Sequence, residues 1–493
     1  MRVGLLEPDS AGAHTVPHGA TVVRDLELAI VFDAMAAGDP FLRESVESIM
    51  VHASTEPATI RYRQEVLADC LADPAAVRRL YALAGASESV RRWTIGRGGA
   101  PRAKLNLSLE PLAELLGHLR QVRAACAALG LRSAGFARLS ALVTSSFRDE
   151  VLDAVESHVD ALHFEHGIAL GAGLGTGNKP AGIVLHEPPR PARRGLFGGD
   201  RRARHGFTIP GQDEKGAEYL ARLIGRGLYP VAEIVSHATD LIADFLLSLR
   251  TELAFYLGCV NLHERLTASG YPLCFPEPLP VGRPELRCRE LRDPTLVLSS
   301  DTPVGANTVD GSGRSLILVT GANSGGKSTF LRSVGLAQVL LQAGMFVLAD
   351  SFVADVRSGI FTHFRTQDDA TMTYGRLKEE LARIREITDA IRPPALLLCN
   401  EPFASTNERE GTQIGGPILR ALHDAGVKIV CVTHLYDLAR EFHDGQTGAE
   451  LFLRAERLPD GTRTFRVVEG EPVATSHGGD VFRRVFGDDR MSV

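Results

Sequence analysis

A chain of 493 residues has room for roughly two to four domains with sizeable cores, and 44% hydrophobic with 23% charged residues is the composition of an ordinary soluble protein. A net charge of −6 excludes a surface that is basic throughout, so a polyanion must be met by a local basic patch. The seven cysteines (Cys70, Cys126, Cys259, Cys274, Cys288, Cys399 and Cys431) are scattered, odd in number and without C-x-x-C spacing, which argues against a zinc site or disulfide framework and fits a reducing compartment. Cys399 and Cys431 lie in apolar runs and read as small core residues. The N-terminal stretch carries acids and prolines and no long apolar core, unlike a signal peptide. No run approaches the ~18 apolar residues of a membrane span, so a cytoplasmic protein without a membrane partner is expected.

In chain order, Val22 to about Ala84 is helical in period, with apolar residues at three- and four-residue intervals in "RDLELAIVFDAMA" and "RYRQEVLADCLADPAAVRRLYALA". Gly96 to Lys104 reads as a break. Leu105 to about Leu170 is helical again, divided near Gly130 and Gly135. Residues 170–211 are rich in Gly, Pro and Arg, with short β-like pieces such as "AGIVLHE", and look like an insertion between helices. Glu214 to Ser269 returns to helix, and Val231 to Ser269, with no Pro and Gly258 as its one Gly, predicts a single helix of roughly 35–40 residues, on the order of 50–60 Å long. The last part of the chain alternates short apolar runs with helical segments. "SLILVTG", "MFVLADSF", "ALLLCNE" and "KIVCVTH" predict buried strands, and Lys327–Ala343 and Tyr374–Ile391 predict helices, in a parallel α/β arrangement.

The stretch Gly321-Ala322-Asn323-Ser324-Gly325-Gly326-Lys327-Ser328-Thr329 matches G-x-x-x-x-G-K-[ST] in full, after a predicted strand and at the start of a predicted helix. Backbone N–H groups of such a loop point at phosphate oxygens. Lys327 brings a point charge to the β- and γ-phosphates, and the Ser328 hydroxyl suits Mg²⁺. ATP with Mg²⁺ is therefore the expected substrate and cofactor. At the tip of "ALLLCNE", Asn400 stands where phosphate-handling folds normally carry an Asp that holds magnesium. Glu401 follows as the candidate general base that orients the attacking water. His434 ends another buried strand and is positioned to sense or stabilise the γ-phosphate.

"GANSGGKSTFLRSVGLAQVLLQAGMFVLAD", "IFTHFRTQDD", "NEPFASTN" and "VTHLYDLA", in this order over about 150 residues, resemble the ATPase domain of the MutS mismatch-repair family. "DLELAIVFDAMA" and "TIRYRQEVLADC" resemble that family's core and lever region more loosely. The resemblance implies an ABC-type fold, a homodimer formed through the ATPase domain, ATP sites completed by the partner subunit, and a DNA partner, with a nucleoid-associated location. The "NE" at Asn400–Glu401 resembles a small MutS-like branch, making Asn400 a branch feature as well as a metal ligand beside Ser328. "PVGANT" resembles the family's adenine-binding turn: Asn307 matches, and Val304 stands where an aromatic residue often stacks on the base. The trans-acting serine of the family falls at Gly375, with Arg376 as a substitute. "TSHGGDVFRRVFG" resembles the short dimerisation tail. The chain starts at about the family's core, and its one Phe-x-Glu, Phe275-Pro276-Glu277, sits just before the ATPase domain and is read as coincidence, so mismatch reading is not expected.

Arg190, Arg193, Arg194, Arg201, Arg202 and Arg204 lie within fifteen residues, opposed only by Asp200. They fall where MutS-like proteins insert a DNA-clamping element, and the planar guanidinium suits phosphate contact; a solvated loop is the alternative. The expected organisation is an α+α/β multidomain chain. Residues 1–104 form an N-terminal helical core segment. Residues 105–290 form a helical lever with a basic insertion at about 170–211. Residues 291–493 form an ABC-type P-loop α/β ATPase domain. The expected activity is ATP hydrolysis coupled to clamping on duplex or branched DNA, in repair or recombination. The alternatives are an RNA- or ribosome-acting ATPase, a nucleotide-gated clamp with little turnover, or a protein that works with a partner nuclease.

Overall fold

The structure is a computed structural model. It describes residues 3–8, 15–17, 19–85, 100–128, 130, 132–165, 167–187, 208–322, 325–365, 375–458 and 462–473. The chain divides into two compact units, one made of 1–3, 75–132 and 136–253, the other of 4–74, 133–135 and 254–493.

Helices Pro101–Ala127, Ala134–Ser146 and Asp149–Ala161 follow one another, all but Ala134 and Gly135 in the first unit. The expected break over Gly96 to Lys104 ends earlier than the composition suggests. Pro101 opens a helix because a proline at the first helical position gives up an N–H that has no partner there anyway. Arg120 from the first of these helices donates to Asp153 and Glu156 on the third, 2.5 and 2.9 Å away. The predicted β-like piece is Pro180–His186, paired antiparallel with Ala169–Leu174.

The long helix exceeds its expectation. It runs over 54 residues, Glu214–Thr267, roughly 80 Å at 1.5 Å per residue, and passes straight through Pro230, which the sequence marks as a boundary. The proline deletes one backbone hydrogen bond but does not stop a helix held by packing on both sides of it. By length and composition alone this helix contains a window apolar enough to cross a membrane, yet 67% of that window is buried within the protein.

The second unit carries the α/β region. In chain order the strands of the molecule are β1 (Thr15–Pro17), β2 (His52–Ser54), β3 (Ala169–Leu174), β4 (Pro180–His186), β5 (Glu277–Leu279), β6 (Leu286–Leu291), β7 (Asn307–Asp310), β8 (Leu316–Thr320), β9 (Ser351–Asp355), β10 (Ile360–Phe364), β11 (Leu396–Asn400), β12 (Lys428–Val432), β13 (Glu450–Arg457) and β14 (Arg463–Glu469). A six-stranded sheet has the order β10-β11-β12-β8-β13-β14. Its first five strands are parallel and β14 returns antiparallel as a hairpin. β8 and β12 are buried at every position, as continuous apolar runs covered on both faces must be. On one face Leu316, Leu318, Leu397 and Ile429 pack with Leu419, Leu438 and Phe442 from helices Glu408–Asp424 and Tyr436–Asp444, and with Leu435 just before the second. On the other lies helix Lys327–Ala343. It approaches so closely that a Cβ added at Gly335 would sit 2.5 Å from Leu398.

One expected strand belongs elsewhere. Met345–Ala349 of "MFVLADSF" is buried but is not strand; the strand is Ser351–Asp355, which joins a separate four-stranded sheet, β5-β9-β6-β7, pairing antiparallel with β6. Apolar character marks burial without naming the sheet that does the burying. The seven cysteines are all free, and Cys399 and Cys431 are fully buried partners across β11 and β12.

Candidate nucleotide site

The carboxyl ends of β8, β11 and β12 lie side by side, because Val432 is in register with Asn400 and with Val319. In an open α/β sheet this edge is where ligands bind. β8 leads into the glycine loop, and helix Lys327–Ala343 starts from Gly326, whose φ of 90° is left-handed. A side chain there is excluded twice: by the dihedral, and because a Cβ would lie 2.6 Å from the Phe465 carbonyl oxygen. Asn323 and Ser324 lie outside the described residues, as do all six arginines of the basic insertion and the C-terminal tail.

Lys327 is only 4% exposed. Its Nζ donates to the carbonyls of Gly321 and Ala322 at 2.7 and 2.9 Å, closing the loop on itself. Burial pushes its pKa down; the Glu401 carboxylate pulls it up, and Arg463 pushes it down. The ammonium is thus partly desolvated, held by neutral acceptors, and within reach of the Glu401 charge.

Ser328 and Asn400, expected as the magnesium pair, are brought together. The Ser328 hydroxyl donates to Asn400 Oδ1 at 2.9 Å. Glu401 follows with a φ of 54°, unusual for a residue with a Cβ, and its N–H donates to the Val432 carbonyl at 2.8 Å. That bond fixes the tip of β11 to the end of β12. Arg365 Nη1 stands 3.9 Å from Glu401 Oε2, a neighbour the motifs did not signal. His434 follows Val432 and Thr433 at the same edge and is half-buried. Thr433 N–H donates to the Val319 carbonyl, 3.0 Å away. Gly375 caps the helix Arg376–Ala390.

Asn307 is the residue expected at the adenine. It is 3% exposed, and its Oδ1 accepts the Val467 N–H at 2.8 Å, tying β7 to β14. A cavity of about 240 Å³ lies nearby, lined among others by Leu296, Val304, Gly305, Gly326, Thr329 and Phe465, without Asn307. Phe465 was not legible in advance. It stands on the β13–β14 hairpin with a φ of 59° and 53% of its surface exposed, and it lines this cavity together with Val304.

The buried carboxylate of Glu380 also reaches this region. It accepts from the Phe403 N–H and from Ser405 Oγ, the latter at 2.7 Å, and His363 Nε2 lies 3.4 Å away. Burial opposes its charge, but the bonds from His363, Ser405 and Phe403 outweigh burial and hold its pKa below the ordinary range.

Comparison with known proteins matches two family models, the MutS2 N-terminal domain over residues 55–269 and MutS domain V over residues 317–486. An Endonuclease MutS2 from Geobacillus thermodenitrificans is 28% identical over 218 residues, 44% of this chain and 27% of the relative. A DNA mismatch repair protein MutS from Chlorobaculum tepidum is 33% identical over 159 residues, 31% of this chain and 18% of the relative. A MutS protein homolog 4 from Mus musculus is 29% identical over 141 residues, 29% of this chain and 15% of the relative. The chain thus spans about a quarter or less of the length of these curated relatives. Two models of one family match in chain order, the second beginning in β8 and running through the glycine loop, β11 and β12, so the chain belongs to the MutS family.

Proposed function

We propose that this chain binds and hydrolyses ATP at the carboxyl edge of the six-stranded sheet, and couples that cycle to closing on DNA. The observation that carries the reading is the 2.9 Å bond from Ser328 Oγ to Asn400 Oδ1, which joins the glycine loop to the strand tip that bears Glu401. Lys327 exchanges its two loop carbonyls for the β- and γ-phosphates, a trade of neutral acceptors for charged ones. Glu401, held by the Val432 carbonyl, orients the attacking water as general base, and His434 at the adjoining tip stabilises the γ-phosphate. Phe465 and Val304 enclose the base.

The donors fit magnesium. It is a hard cation that takes oxygen ligands and keeps several waters, and Ser328 and Asn400 offer a hydroxyl and an amide oxygen. When bound it neutralises charge on the phosphates. Asn400 brings no negative charge, so affinity for the ion is lower than with a carboxylate and turnover is slow. The same observation favours a second reading, a nucleotide-gated clamp with little turnover.

The names of the relatives, DNA mismatch repair protein and endonuclease, support DNA as the polymer. In this reading the ATPase domain, residues 291–493, pairs two copies. The helical segments 1–104 and 105–290 carry the grip, and Arg190, Arg193, Arg194, Arg201, Arg202 and Arg204 meet phosphates. The setting is cytoplasmic, on the nucleoid. Binding of duplex and branched DNA across a salt series tests the grip. With Arg193, Arg194, Arg201 and Arg202 replaced by Ala, affinity falls about equally for all sequences, and the salt slope flattens by roughly one unit per lost contact. An unchanged slope assigns the cluster to a solvated loop. Co-purified nucleic acid that resists DNase and yields to RNase moves the polymer to RNA.

A further inference from the structure

Glu401 and Phe403 both have left-handed φ, 54° and 60°, in a turn without glycine at either position. Such conformations are strained for a residue with a Cβ and persist only where the surroundings over-determine them. Glu401 is fixed by its bond to Val432. Phe403 is fixed twice. Its ring is fully buried, and helix Glu408–Asp424 packs so tightly on it that a Cβ at Gly415 would lie 2.8 Å from its Cδ2. Its N–H is taken by Glu380.

Glu380 is 8% exposed, and both of its carboxylate oxygens are committed to this turn, one to Phe403 N–H and one to Ser405 Oγ. The oxygen that takes Phe403 also faces His363 Nε2. His363 is 3% exposed, and its Nδ1 has no hydrogen-bond partner among the described residues, so the ring's bonding there is directed through Nε2 to Glu380. His363 lies on β10 in register with Cys399, one residue before Asn400. A buried carboxylate on one helix therefore clamps the residues that follow the candidate base, and a histidine beside the base's own strand faces the clamp.

We propose that Glu380 is a positioning residue for Glu401, with His363 as its partner: the pair holds the 401–405 turn so that the Glu401 carboxylate faces the γ-phosphate water. The proposal rests on Glu401 as the base. It also makes the helix that starts at Gly375 a lever on hydrolysis, since a shift of that helix moves Glu380 and with it the turn.

The test uses the full chain with ATP, Mg²⁺ and four variants. Glu380→Ala is expected to lower kcat roughly 10- to 100-fold with the KM for ATP within about threefold of wild type, because misplacement of a reacting group by about an ångström costs rate rather than ground-state binding. Glu380→Gln keeps an oxygen for Phe403 N–H and an amide that can donate to Ser405, and it restores most of the rate. His363→Gln has an effect between these two. Amide exchange read by mass spectrometry needs no turnover: in Glu380→Ala the 401–406 segment exchanges at least ~10-fold faster while helix Lys327–Ala343 keeps its protection. Glu380→Asp, one methylene short of the turn, gives the same readout if the alanine variant does not fold. Unchanged exchange at 401–406 in the folded variants overturns the proposal, as does an equal loss of rate in the Gln and Ala variants. A wild type that does not hydrolyse ATP overturns the assignment of Glu401, and the exchange measurement alone then decides whether Glu380 holds the turn.

Discussion

Two lysines stand at opposite ends of the same parallel sheet, and both are buried. Lys327, beyond the carboxyl end of β8, is 4% exposed; Lys428, the first residue of β12, is 3% exposed. Burial depresses the pKa of each. Their partners differ. Lys327 donates to two carbonyls on a glycine loop that a phosphate can replace. The Lys428 ammonium makes no hydrogen bond among the described residues and stands 3.9 Å from Asp355 Oδ1. That oxygen is already shared with Arg357 Nη2 at 2.5 Å and the Glu285 N–H at 3.0 Å. Burial, with Arg357 next in weight, lowers Lys428 to about 7 despite Asp355 and Glu285. Desolvation alone does not identify a functional lysine; what the ammonium is free to exchange does.

The largest expected effect separates the two directly. Lys327→Ala removes the P-loop cation and is expected to lower ATP binding or turnover at least ~100-fold, the cost of deleting a group aimed at developing charge, with the circular dichroism spectrum intact. Lys428→Met leaves turnover at the wild-type level. A Lys428 variant that loses hydrolysis while folded would erase the distinction.

Adding charge at the site sharpens the contrast. Asn400→Asp places a carboxylate where Ser328 Oγ now meets an amide oxygen. Half-maximal hydrolysis then requires roughly tenfold less magnesium, equivalent to about 1.4 kcal/mol of ion affinity. A magnesium titration in which both proteins reach half-maximal rate together contradicts a metal role for this position.

A separate effect is on stability. Lys428 has its folded pKa lowered to about 7 from 10.5. The unfolded chain therefore binds more protons between these values, and stability rises with pH across that window. Below about pH 7 the group is charged in both states and the cost of burying it is fully present. Unfolding in urea at pH 7 and pH 9 should show Lys428 contributing on the order of 2 kcal/mol of that rise, and Lys428→Met should abolish it. An identical pH dependence in wild type and variant assigns the rise to other groups.

The glycine loop, Ser328, Asn400 and Glu401 were legible because each sits in a short local pattern, an apolar strand followed by its tip. The helix Lys327–Ala343 was legible to the residue, since glycine caps both of its ends. What was hidden is tertiary. Phe465 reaches the cavity only because β14 returns beside β13. Asn307 follows the adenine-turn pattern, yet its oxygen is spent on Val467, 160 positions away. Glu380 meets the turn after Glu401 through the packing of a helix, and no spacing in the chain announces it. Pro230 reads as a stop in any local scheme, but the helix runs through it, and Glu233 in the next turn is bonded by Lys104, 129 positions away.

The central claim is that Glu401 drives hydrolysis at a site assembled by Lys327, Ser328 and Asn400. Its most direct test is single-turnover hydrolysis of ATP by wild type and Glu401→Gln, with nucleotide affinity measured on the same samples. The expected result is affinity within about threefold and hydrolysis slowed at least ~100-fold, the range of a lost general base, with the ATP-bound variant sedimenting as a dimer. Hydrolysis by Glu401→Gln at the wild-type rate, or none by wild type at any magnesium concentration with or without DNA, would contradict it.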